Sequence, residues 1–192
     1  MTLRITVKIR RSMKKVLVIH PEDSSTDMLQ AVYFDKGYDV IRDPSISNDE
    51  LVEQIRSHDK IIMLGHGTPD GLLAFDRKNY EIRYIINDSH AELLRSKETY
   101  SMWCYSDIYF RRNGMKGFHS GMIISERSEA CAYGIRGYTD ADVAMTMMPL
   151  MFAMHDTLEM EDLEEMRRII LERYDANDPI TAFNRKNILI LQ

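Results

Sequence analysis

Lys60-Ile-Ile-Met-Leu-Gly-His-Gly-Thr-Pro-Asp-Gly-Leu72 is the stretch on which the reading of the fold turns. Ile61–Leu64 is a short apolar run halted by glycine on both sides of His66, the pattern of a strand buried on both faces. Working back toward the start, Val16–His20 is a second such run, ended by Pro21. Asp23-Ser-Ser-Thr then offers capping side chains, and Asp27–Lys36 has helical spacing through Met28, Leu29, Val32 and Tyr33. Gly37 stops that helix, Tyr38–Ile41 reads as a strand, and Ser47-Asn-Asp-Glu opens a helix whose apolar face is Leu51, Val52 and Ile55. Strands alternating with helices predict an α/β fold: a three-layer sandwich around a mostly parallel sheet.

Beyond Gly71 the pattern changes. Leu72–Phe75 and Tyr80–Ile86 alternate about Asp76-Arg-Lys-Asn, which predicts a small antiparallel hairpin. Ser89–Arg95 predicts a helical turn or two, and within Thr99–Asp107 a strand ends at Cys104. Gly121–Ile124 and Ala130–Ile135 read as further strands. Thr139-Asp-Ala-Asp caps a helix running to about His155, with a kink or restart expected at Pro149. Met160–Tyr174 is amphipathic, and Asp178-Pro179 begins a tail whose Ile188-Leu-Ile-Leu is apolar enough to dock on the body. One domain over 1–192 is expected, with 1–12 as an extension and 139–192 as C-terminal helices and docked tail.

Composition bounds the function. Hydrophobic residues at 44% and charged residues at 29% are ordinary for a globular chain. A net charge of -5 gives no electrostatic case for nucleic acid or an anionic membrane as partner. No segment reaches the roughly 20 apolar residues needed to span a bilayer. Two cysteines cannot make a disulfide framework and point to a reducing, cytoplasmic setting. Met145, Met147, Met148, Met151 and Met154 fit adaptable core packing, and Cys131 between two alanines reads as core. No Cys-x-x-Cys or His-Glu-x-x-His pattern supports a metal site, and no glycine-rich phosphate loop follows the first strand. Neither metal nor cofactor is expected.

The chemistry rests on His66 and Cys104. In a parallel sheet both strand ends open at one edge, where ligands bind. A thiol beside an imidazole points to nucleophilic catalysis, with the histidine exchanging protons near neutral pH. The backbone amide of Gly67 is unobstructed and can donate to an oxyanion. His119 is the reserve base, His20 lies at the same edge, and His58 lies at the opposite end of its strand.

The two blocks, Ile61-Ile-Met-Leu-Gly-His-Gly-Thr and Met102-Trp-Cys-Tyr-Ser-Asp, resemble those of the caspase-like cysteine peptidases. The Gly-His-Gly form and the Cys-x-Ser sequence are similar to metacaspases and separases. Trp103 and Asp107 depart from the usual residues, and the interval from His66 to Cys104 is shorter than the roughly 50 positions of caspases. The likeness spans about Met13 to Ile135 in strand order. It implies Cys104 as nucleophile, His66 as acid/base, and the amides of Gly67 and Cys104 as oxyanion donors, with a peptide or protein as substrate and no cofactor. Asp70 and Asp107 flank the pair as possible substrate-site residues favouring a basic side chain. Ordinary turn chemistry at Asp70 and capping by Asp107 of the segment after it account for them better. A cysteine endopeptidase is therefore the leading expectation. A caspase-fold protein that binds without turnover, and a flavodoxin-like small-molecule module with a phosphate near Ser24 and Ser25, are the alternatives.

Overall fold

A computed structural model describes residues 14–76 and 80–191, so the proposed 1–12 extension and the tip of the hairpin lie outside the described residues. The chain forms a six-stranded sheet in the order β2-β1-β3-β7-β8-β9 and a separate three-stranded sheet, β4-β5-β6. In the large sheet β1 (Val16–Ile19), β2 (Asp39–Ile41), β3 (Lys60–Leu64), β7 (Glu98–Met102) and β8 (Gly117–Ser120) run parallel. Only β9 (Ile188–Leu191) is antiparallel, paired along β8. The small sheet comprises β4 (Gly67–Thr68), β5 (Gly71–Asp76) and β6 (Glu81–Ile86), all antiparallel, inserted between β3 and β7 as the hairpin pattern predicts.

Alternation along the strands decides which layer covers which face. Val18, Ile62, Leu64, Tyr100, Met102 and Phe118 bury one side against α5 (Asp140–Thr157) and α6 (Leu163–Arg173). Leu17, Ile19, Ile61 and Met63 bury the other against α1 (Asn48–Ser57), α2 (Ala91–Leu94), α3 (Ser106–Arg112) and the small sheet. This is the period-two pattern of a sheet covered on both faces. Ser47 caps α1 by accepting from the Glu50 amide, as its sequence implies. Among the described residues no helix is long and apolar enough to cross a membrane.

Several local expectations are corrected. Asp27–Val32 is a 3₁₀ helix rather than an α-helix through Lys36. The strand expected at Gly121–Ile124 lies four residues earlier. Gly117 takes φ 139° and has no room for a Cβ, which would meet the Thr99 carbonyl at 2.2 Å; the chain leaves the sheet after Ser120. The strand expected over Ala130–Ile135 is instead α4 (Arg127–Ala132), because Glu126 and Glu129 close a reciprocal cap at its start. That turn exposes Cys131 and buries Ala130, reversing the core assignment of the cysteine. Pro149 sits within an unbroken α5, and Met145 is exposed whereas Met147, Met151 and Met154 are buried. The apolar tail is docked as β9, preceded by α7 (Pro179–Lys186), which Asp178 caps.

Candidate functional site

Three loops at the C-terminal ends of β1, β3 and β7 converge. The sheet order places β1 beside β3, where the connections diverge to opposite sides, and such a switch point opens a crevice. A narrow cleft lies there, lined by Ser25, Met28, His66, Cys104, Ser125 and Met147 among others. His66 and Cys104, identified from sequence, are thus brought to one cleft.

His66 is about one-third exposed. Its Nε2 lies 2.7 Å from the Ser25 hydroxyl and 3.7 Å from Glu126 Oε1. Ser25 in turn donates to Asp23 Oδ1 at 2.8 Å, and its amide donates to the same oxygen at 3.0 Å. Gly65, at φ 138°, turns the chain out of β3, and its amide donates to the Met102 carbonyl of β7. The loops carrying His66 and Cys104 are therefore tied together at their roots.

Trp103 is the second tie. Its indole N–H donates to the Thr68 carbonyl at 3.2 Å, and its ring lies where a side chain at position 67 would be. The residue that departs from the expected block before the cysteine thus braces the histidine loop. Tyr105, directly after Cys104, is held at φ 68°, a left-handed conformation uncommon for a non-glycine residue. Its amide donates to the Gly121 carbonyl, which fixes the turn presenting Cys104.

Cys104 Sγ donates to the Ile123 carbonyl at 3.5 Å and lies 3.9 Å from Glu129 Oε1. Burial, reinforced by the Glu129 carboxylate, pushes its thiol up to about 12. The other oxygen of Glu129 accepts from the Ser125 and Glu126 amides, so the start of α4 holds that carboxylate at the cysteine.

The two backbone amides expected as oxyanion donors, those of Gly67 and Cys104, are placed as follows. The His66 carbonyl accepts from the Leu73 amide at 2.9 Å, making His66 and Leu73 a hydrogen-bonded pair. Gly67 lies opposite Leu72 on β4, the edge strand of the small sheet. The lining of the cleft includes Gly65 and His66 but stops short of Gly67. The Cys104 amide donates to no protein group among the described residues.

Asp70 and Asp107 are placed elsewhere. Asp70 is exposed and pairs with Arg112 at 2.9 Å, while Asp107 lies in the first turn of α3 with Arg111 at 3.8 Å. Neither lines the cleft. The carboxylates nearest the pair are Glu126 and Glu129, which sequence reasoning missed because they fall between the two strands expected at Gly121–Ile124 and Ala130–Ile135. His119 is fully buried on β8, stacked on Phe110, with neither ring nitrogen hydrogen-bonded among the described residues. His20 is likewise buried, bonded to Tyr33, Thr26 and Arg42. Neither lines the cleft. Ser25, named from sequence only as part of a possible phosphate site, is instead the hydroxyl that meets His66; its signal is its place in the loop after β1, beside the switch point.

A scan against protein-family models found no match, and a search among curated proteins found none either.

Proposed function

We propose that the chain is a caspase-like cysteine hydrolase that cleaves peptide bonds, with Cys104 as nucleophile and His66 as acid/base. The observation that supports this most is the opening of both side chains on one cleft at the ends of neighbouring parallel strands. Because the resting thiol is pushed up to about 12, Cys104 enters the reaction protonated. Its proton passes to His66 as Sγ bonds to the substrate carbonyl carbon, rather than being lost beforehand. Of the two amides expected to receive the developing oxyanion, that of Cys104 belongs to a residue lining the cleft and would do so, whereas Gly67 lies outside that lining. His66 then protonates the leaving amine, and water hydrolyses the thioester with His66 as base.

The same raised thiol favours a second reading, a caspase-fold protein that binds a partner peptide or protein without turnover. One experiment separates them: a fluorogenic peptide library with wild type and Cys104→Ala, alongside the rate of iodoacetamide labelling at neutral pH. The hydrolase reading expects turnover that Cys104→Ala abolishes. Equal turnover by both proteins ends it. No turnover, with labelling slower than a free model thiol, supports the binding protein.

A further inference from the structure

The histidine of a Cys-His pair must keep one nitrogen basic, and that depends on where its single proton sits when neutral. Here the hydrogen-bond accounting decides it. A carboxylate only accepts, so the Ser25 hydrogen goes to Asp23 Oδ1, 2.8 Å away. The Ser25 oxygen, 2.7 Å from His66 Nε2, is then left to accept, and Nε2 must carry the proton. Glu126 Oε1, 3.7 Å from the same nitrogen and beyond hydrogen-bond length, adds a negative charge that favours a proton there. The Ser25 amide also donates to Asp23 Oδ1 and the Thr26 amide to the Asp23 carbonyl, so the turn presents the hydroxyl in one place.

We infer that Ser25, backed by Asp23, is a positioning residue that locks His66 as its Nε2–H tautomer and leaves Nδ1 as the proton acceptor for Cys104. This rests on the hydrolase reading for its catalytic meaning, but the tautomer lock stands on geometry alone. The balance is simple. As Sγ bonds to the carbonyl carbon, its proton moves to Nδ1, and the imidazolium keeps its Nε2–H on Ser25. The Nδ1 proton then passes to the departing amine when the C–N bond breaks, which regenerates the neutral tautomer. Asp23 takes no proton in the relay, so the chain Asp23–Ser25–His66 holds the cation in place without a second proton transfer.

The test uses the full chain labelled with ¹⁵N-histidine, with His66→Gln to assign the ring signals. Wild type and Ser25→Thr should show the Nε2–H tautomer at neutral pH, whereas Ser25→Ala and Asp23→Ala should show a mixture. Iodoacetamide labelling of Cys104 and kcat should both fall about 10- to 100-fold in Ser25→Ala, with KM little changed and Ser25→Thr restoring the rates. An Nδ1–H or mixed tautomer in the wild type overturns the proposal. So does an unchanged labelling rate in Ser25→Ala, or covalent capture of Ser25 by a fluorophosphonate, which would make it a nucleophile. Absence of turnover in the wild type sinks the hydrolase reading alone; the ring spectra and labelling rates still decide the role of Ser25.

Discussion

Gly67 has no side chain because Trp103 fills the space one would need. A Cβ there would meet Trp103 Cδ1 at 2.1 Å and the Gly71 carbonyl at 2.7 Å. Neither can yield easily, since the indole is buried and hydrogen-bonded to Thr68. Gly67→Ala should therefore destabilise the fold by about 1–3 kcal/mol, read as a lower urea midpoint with an unchanged slope. A midpoint equal to wild type would show that the contact gives way freely. At this scale the sequence was informative where a residue's neighbours restrict it. His66 between two glycines announced a turn at a strand end. Ser25 sat in a run of ordinary cap-forming residues, and nothing local marks which hydroxyl a distant imidazole will meet.

Elements were legible where periodicity was strong. The continuous apolar runs of β1 and β3 and the alternation of β5 and β6 were read correctly in type and place. The stretch between Cys104 and Thr139 was not, because its strand is chosen by partners distant in sequence. Gly117–Ser120 pairs with Ile188–Leu191, about seventy positions away, and Glu126 with Glu129 turns an apolar stretch into α4. Burial in β8 also has a consequence for pH. His119, desolvated, has its pKa lowered to about 4, and His20, desolvated beside Arg42, likewise. The folded chain keeps both neutral between pH 6.5 and about 4, while the unfolded chain takes up protons there. Stability is thus full above pH 6.5 and falls as pH drops through that window, each histidine contributing on the order of 3 kcal/mol at most. His119→Leu should flatten the fall in urea-derived stability between pH 6.5 and 4; an identical pH profile would remove His119 as its cause.

Across the whole molecule, the C-terminal third stabilises a cleft it barely lines. Asn184 of α7, fully buried, accepts from the Ile124 amide at 2.7 Å and donates to the Ile124 carbonyl at 2.9 Å. Ile123 and Ser125, on either side, line the cleft with Cys104. The Asn187 carbonyl holds the Gly121 amide just upstream. Asn184→Ala leaves both polar groups of Ile124 buried without partners and should cost about 2–4 kcal/mol. Thermal denaturation checks this, and a melting temperature within a degree of wild type would contradict it. The three-layer arrangement followed from alternating strands and helices. The bracing from α7 did not, since an asparagine seen in sequence gives no sign of the backbone it will satisfy.

The brace between the two loops has one more property. Trp103 is the chain's one tryptophan, almost fully buried, and it touches the histidine loop while preceding the cysteine. Indole emission depends on its surroundings, so all tryptophan fluorescence from this protein originates beside the cleft. The molecule carries its own optical probe there. Any ligand or peptide that shifts either loop is visible by emission colour and lifetime, without a label and without knowledge of the substrate.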